Sequence, residues 1–357
     1  MFVLYGPWTL VPSPTTPPYA GGAIGIVEDV YHRNNPPNDT YGDRFGFRNA
    51  LGDPNQDGYP DLVVGSPYSL VSPGVNQDGE AYVYWGPSFA AWLELVLPWD
   101  PATYYPSIND RLWGWDVACG NVADWERAAN DDIIVAAYNS DNPGSGGNHG
   151  WIRVFRDYMG SSPPAAQVVD IRRPGGDRDQ SDFGAAINLG KYYGSTYLDM
   201  AVGAPYDDNT IQYGEVHVFQ GGPGFPSNAY SFTRDIDGYQ IMDKFGFDVD
   251  FLGDQNGDGR SELVVGAPWF STGAPGGQNY GPGRVIVRRS NGGSSYINDP
   301  NPEVLAVSWW YGWGSALAVG KIDANSQLDL AIGNARTTDP ATQTEEAGEV
   351  RVVVYHY

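Results

Sequence analysis

Two short stretches hold most of the side chains here that can do chemistry. Asp53-Pro54-Asn55-Gln56-Asp57-Gly58-Tyr59-Pro60-Asp61 sets side-chain oxygens at positions 1, 3, 5 and 9 of a nine-residue loop. Asp254, Asn256, Asp258 and Glu262 repeat the set, and the carbonyls of Tyr59 and Arg260 stand at position 7. Gly58 permits the sharp turn such a loop needs. Hard oxygen donors on a flexible loop suit Ca2+, whereas Mg2+ demands stricter octahedral geometry and keeps its water. Two calcium sites are expected. An EF-hand or dockerin-type loop would need a carboxylate at position 12, where this chain has Val64 and Val265. The competing reading of each loop is an Asx-rich hairpin without metal.

Little else in the chain suggests reactivity. His32, His149, His217 and His356 are scattered, and no G-x-S-x-G, H-E-x-x-H or phosphate-binding loop occurs. Asp177, Asp179 and Asp182 cluster, which reads as a solvated loop rather than an acid/base pair. Cys119 is the single cysteine, so neither an intramolecular disulfide nor a thiolate metal site is available, and it reads as a small core hydrophobe. A net charge of −23 with three lysines argues against nucleic acid, because little could neutralise a run of phosphates. No apolar run is long enough to span a bilayer, and Met1 to Tyr5 lacks the basic start of a signal peptide.

The elements that position the two loops form a repeat. Phe45-Gly46, Trp113-Gly114, Phe183-Gly184, Phe245-Gly246 and Trp313-Gly314 recur at intervals of 62 to 70 residues. Each pair opens a strand, and each is followed by a loop and an apolar strand ending at Gly65-Ser66-Pro67, Ala136-Ala137-Tyr138, Gly203-Ala204-Pro205, Gly266-Ala267-Pro268 or Gly333-Asn334-Ala335. A third strand and, except in the last repeat, a fourth then follow. With 47 Gly, 28 Pro and no long amphipathic helical pattern, the reading is all-β. Four short antiparallel strands per repeat is one propeller blade. The expected fold is a single β-propeller over 1–357, with a strand and Pro-rich link at 1–22, a closing strand and loop at 23–44, and repeats starting near 45, 113, 183, 245 and 313. That gives five blades rather than six or seven. Ala23 to Tyr31 is expected to supply the strand that the last repeat lacks, closing the ring with strands from both termini. Met1 to Tyr5 is then a surplus strand.

The other three repeats test the loop reading. Lys191 and Lys321 stand where Asp53 stands in the first repeat, each ahead of a closing aspartate, Asp199 or Asp329. The expectation is that the ammonium fills the cation's place and pairs with that aspartate. The second repeat, with Asn121 and Asp132 separated by extra residues, is expected to bind no metal.

These motifs together resemble the FG-GAP repeat of integrin α-subunit propellers and of bacterial surface proteins. The resemblance runs over nearly the whole chain and implies calcium in the nine-residue loops. It also implies an extracellular or cell-surface location and a non-enzymatic adhesion, binding or assembly role with a protein or polysaccharide partner. Two alternatives stay open: a propeller that binds or cleaves polysaccharide, and a filament subunit that self-associates through residues 1–6 by strand addition.

Overall fold

The computed structural model describes residues 2–4, 24–26, 44–69, 79–87, 92–95, 112–123, 130–138, 149–157, 168–174, 181–206, 214–226, 229–233, 244–269, 283–289, 303–306, 312–323, 327–337 and 347–353. Among them every regular element is a strand, so no helix is long and apolar enough to cross a membrane. Four sheets have four strands each in simple up-and-down order. The first is β3 (Asn49–Gly52), β4 (Asp61–Ser66), β5 (Glu80–Tyr84) and β6 (Trp92–Glu94). The second is β7 (Trp113–Gly120), β8 (Asp132–Ala137), β9 (Trp151–Phe155) and β10 (Val168–Ile171). The third is β11 (Ala186–Gly190), β12 (Asp199–Ala204), β13 (Glu215–Phe219) and β14 (Ala229–Thr233). The fourth is β15 (Val249–Phe251), β16 (Leu263–Ala267), β17 (Arg284–Arg288) and β18 (Glu303–Ala306). The fifth has three strands, β19 (Trp313–Gly320), β20 (Asp329–Thr337) and β21 (Ala347–Val353). All neighbouring strands pair antiparallel, and the architecture is the expected all-β propeller type.

One expectation is not met. Ile24–Ile26 (β2) pairs with Phe2–Leu4 (β1), not with β21. The surplus strand and the intended closing strand satisfy each other's backbone in a two-stranded sheet, and the pairing of nearby segments costs less loop-closure entropy than reaching the far end of the chain.

The core lies between sheets. Second strands are apolar on both faces because each face meets a different neighbour. Val63, Ala81 and Val83 of the first sheet pack with Trp113, Val117 and Ile133 of the second. Ile134, Ile152 and Val154 of the second pack with Phe183, Met200 and Val202 of the third. The third and fourth join through Val216, Val218, Phe245 and Val265, and the fourth and fifth through Val264, Val287, Trp313 and Leu330. Four of the five clusters among the described residues join neighbouring sheets, so burial is shared along the array; the fifth, Leu62, Val64, Tyr82 and Tyr84 with Phe45, belongs to the first sheet alone.

The two recurring dipeptide-like motifs meet at these joints. A Cβ on Gly65 would lie 2.0 Å from the carbonyl oxygen of Gly114 in the next repeat. The same test gives 1.9 Å for Gly203 against Gly246 and 2.1 Å for Gly266 against Gly314. Backbone therefore touches backbone, which only glycine allows. Gly114 is held at φ +80° to present that carbonyl. The second repeat carries Ala136 at this place, and its methyl fits beside Gly184. Gly65→Ala should therefore force a small separation of the first two sheets rather than unfolding, at a cost of about 1–3 kcal/mol. The shift in a chemical denaturation midpoint measures it.

Candidate metal loops

The first loop joins β3 to β4. Asp53 folds it: its two carboxylate oxygens accept the N–H groups of Asp57 (3.1 Å) and Gly58 (3.0 Å). Asn55 Oδ1 accepts Asp57 N–H at 2.9 Å, and Asp57 Oδ1 accepts Tyr59 N–H at 2.9 Å. These are successive Asx turns, in which short polar side chains stand in for backbone acceptors. Gly58 at φ +85° makes the bend. Asp61 closes the loop from the start of β4 and is fully buried. Its Oδ1 accepts Gly86 N–H at 2.7 Å, while Oδ2 is buried with no hydrogen-bond partner. Burial raises the Asp61 pKa to about 6 against the opposing Gly86 bond, and the charges of Asp57 and Asp53 push it further up.

The second loop, between β15 and β16, has the same wiring. Asp254 accepts N–H bonds from Gly257 (2.7 Å), Asp258 (3.1 Å) and Gly259 (2.8 Å). Asn256 accepts from Asp258 and Asp258 from Arg260. The closing residue is Glu262, one methylene longer, and it is buried. It reaches back to accept Gln255 N–H (2.7 Å) and the Asn256 side-chain amide (2.6 Å). Its pKa is raised by burial first and then by Asp258 and Asp254. All ten residues picked from the sequence thus fall in two equivalent loops, each with three acidic side chains close enough to repel. Their oxygens point mainly at loop N–H groups, and among the described residues no three acidic, histidine or cysteine side chains stand in metal-holding geometry.

The remaining repeats show what the closing aspartate does without a ligand set. Asp132 accepts from Val122 (2.9 Å) and Ala123 (2.8 Å) with one oxygen and from Asp157 with the other. Asp199 accepts from Tyr193 (2.7 Å) and Gly221 (2.9 Å). Asp329 accepts from Ile322 (2.8 Å) and Asp323. Backbone donors fill the place. The lysine expectation is overturned: Lys191 and Lys321 are exposed, and the aspartates they were to pair with are capped by N–H groups instead. A buried carboxylate gains more from fixed backbone donors than from a long side chain that must leave water.

Each acidic loop also leans on the following repeat, which the sequence did not reveal. Asp131 Oδ2 accepts Asp53 N–H at 2.8 Å, and the Asn130 amide donates to the Pro54 carbonyl at 3.1 Å. In the fourth repeat the Gln255 amide donates to Leu252 and Leu328 carbonyls. Nothing in Asn130-Asp131 distinguishes it from any polar turn, because its partner lies 76 to 78 residues away.

The other candidate groups are structural. His217 and His149 are buried, and Asp182 is buried beside Lys244, whose ammonium rests on the rings of Trp269 and Tyr206. His32, His356, Asp177 and Asp179 lie outside the described residues. Cys119 packs against the first sheet as a core residue, and burial, followed by nearby carboxylates, pushes its thiol up. Trp113 stacks on Trp151 at 5.7 Å and donates to the Leu95 carbonyl, which makes it inter-sheet core.

An FG-GAP repeat matches residues 45–84. The chain carries one matched FG-GAP repeat and is similar to integrin α subunits. It is 29% identical over 166 residues to integrin alpha-5 of Xenopus laevis, a match covering 46% of this chain and 15% of that protein. It is 24% identical over 322 residues to integrin alpha-8 of Gallus gallus, covering 82% of this chain and 28% of that one. A phosphatidylinositol-glycan-specific phospholipase D of Bos taurus is 26% identical over 262 residues, 68% of this chain and 28% of that protein. The chain thus spans less than a third of the length of these relatives. An exo-1,5-alpha-L-arabinanase from a bovine ruminal metagenomic library aligns at TM-score 0.37 and 10% identity, over 86% of this chain and 93% of that one.

Buried carboxylates also tie the sheets together. Asp116 accepts Ile187 N–H from the third sheet at 2.7 Å, and Asp248 accepts Leu317 N–H from the fifth at 2.7 Å. Burial raises the Asp116 pKa to about 7, with Arg48 opposing. Unfolded, the group titrates near its ordinary value of 3.8. The folded chain therefore holds a proton between about pH 4 and pH 7 that the unfolded chain releases. The resulting stabilisation is full below that window and lost as pH rises through 7. Asp116→Asn keeps an acceptor for Ile187 and removes the charge. It should raise stability at pH 8 on the order of 1–3 kcal/mol and change little at pH 4, as measured by denaturation at the two pH values.

Proposed function

We propose that the chain is a calcium-stabilised propeller that serves as a non-enzymatic binding, adhesion or assembly module at the cell surface. The carrying observation is the contrast among closing carboxylates. Asp132 and Asp199 have both oxygens capped by backbone donors, whereas Asp61 keeps a buried, partnerless Oδ2 facing a loop crowded with acidic charge. A cation relieves that repulsion and supplies the missing partner. Asp53, Asn55, Asp57, Asp61 and the Tyr59 carbonyl would hold one ion. Asp254, Asn256, Asp258, Glu262 and the Arg260 carbonyl would hold the other. The ions supply rigidity rather than chemistry, locking loops that brace the following sheet. The integrin α relatives support the adhesion role and the surface location.

A ring of sheets rather than an open stack is part of this reading. Arg48, just before β3, lies 3.8 Å from Asp116 of the second sheet, and its charge also acts on Asp248 of the fourth. In a straight stack the first and fourth sheets would stand about 30 Å apart at the usual sheet spacing of roughly 10 Å, beyond useful reach of one arginine. Curling about a common axis brings the two within range.

Chelator should lower the thermal midpoint and calcium should restore it. At a free calcium concentration of a hundred times Kd, each site contributes about 2.7 kcal/mol. Asp57→Ala should abolish about half of the chelator effect, and the double variant Asp57→Ala/Asp258→Ala all of it. A midpoint indifferent to chelator in the unmodified chain would leave the loops as plain Asx hairpins.

A further inference from the structure

The sheet–sheet register singles out one uncovered face. In each of the first four repeats, two third-strand residues sit opposite the glycine-position residue of the second strand and the residue two places before it. They are Ala81 and Val83, Ile152 and Val154, Val216 and Val218, and Val285 and Val287. All eight are 0–3% exposed, because the following sheet lies on them. The same register in the fifth sheet pairs Val350 with Gly333 and Val352 with Ala331. These valines are 68% and 48% exposed. The other side of β21 is covered: Val353 packs with the fourth–fifth core and Arg351 lies over the Trp313 ring. Among the described residues, one apolar face of an otherwise regular array has no neighbouring sheet, and apolar side chains gain from a covered one.

The first sheet is not that neighbour. Its own preceding face, Leu62, Val64, Tyr82 and Tyr84, is only 0–5% exposed, while Val350 and Val352 remain open, so the two faces do not cover each other. In the ring proposed above, the place for that cover is between the last sheet and the first.

We propose that the β1–β2 hairpin is the outer half of a further sheet that packs on the fifth one and covers Val350 and Val352. Sequence and pairing both support this occupant. Val3-Leu4-Tyr5-Gly6-Pro7 follows the pattern of Val83-Tyr84-Trp85-Gly86-Pro87, a third strand and its exit. β1 pairs antiparallel with β2 as third strands pair with fourth strands elsewhere. Its register sets Phe2 opposite Ile26 and Leu4 opposite Ile24, four apolar residues in all. The hairpin is continuous with the first sheet along the chain, so the position between first and last sheets is the one it can reach. It carries third- and fourth-strand equivalents only. It therefore covers the outer part of the fifth sheet and leaves the inner strand open, where Ala316 and Ala318 of β19 are exposed.

That asymmetry gives the test. Val352→Cys and Ala318→Cys are made separately in the full chain and treated with a maleimide, with the unmodified chain, whose Cys119 is partly buried, as the baseline. The expected result is several-fold slower labelling at 352 than at 318, independent of protein concentration, with the Leu4→Ser/Ile24→Ser change restoring fast labelling at 352. Val350→Cys reads the same face should Val352→Cys fail to fold. Equal, fast labelling at 352 and 318 overturns the proposal. Protection at 352 that grows with concentration and tracks an oligomer on size-exclusion chromatography also overturns it, and assigns the face to a second copy of the chain.

Discussion

The contact on which the array depends is backbone against backbone. Where Gly65 meets the Gly114 carbonyl, and again at Gly203 and Gly266, two sheets approach more closely than any side chain would permit. That approach sets the distance at which valines and aromatics of neighbouring sheets interlock. It also explains why the motif comes in two parts separated in sequence. One glycine ends a second strand, and its counterpart opens the first strand of the next repeat. Neither half has a role alone, which is why the glycines recur with the period of the whole unit.

A second constraint runs through every repeat: the buried carboxylate at the start of the second strand. It gathers the loop before it and the turn after the third strand, as Asp199 does with Tyr193 and Gly221. Seen this way, the acidic loops are variants of a general device. Asp132, Asp199 and Asp329 are served by N–H groups, while the acidic loops at 53–61 and 254–262 swing their amides toward their own first aspartate. Asp61 is then left with one oxygen unpartnered, while the longer Glu262 reaches back to the Gln255 N–H and the Asn256 amide.

The repeat, its strands and the two acidic loops were legible in the sequence because they rest on local periodicity and on spacing that survives from copy to copy. Asp53 to Asp61 could be read as a loop because its hydrogen bonds are internal. What escaped was everything that crosses a joint. Asn130 and Asp131 brace a loop in another repeat, and Asp116 holds a strand in the next sheet, yet both look like ordinary polar residues in their own context. Lys191 misled for a related reason. Its position was right for a stand-in cation, but position does not fix where a flexible side chain points, and water competes well for an ammonium. The N-terminal strands were legible as strands, though not as partners of each other.

The bracing of each acidic loop by its successor bears on what counts as a module here. The unit that repeats in sequence is offset from the unit that stands on its own: the loop at 53–61 has part of its scaffold at 130–131, and the loop at 254–262 has part at 328. A graft or shuffling event cut at the sequence boundary would carry the ligand-rich turn away from its support. A successful transplant would have to take the turn together with the opening half of the unit downstream.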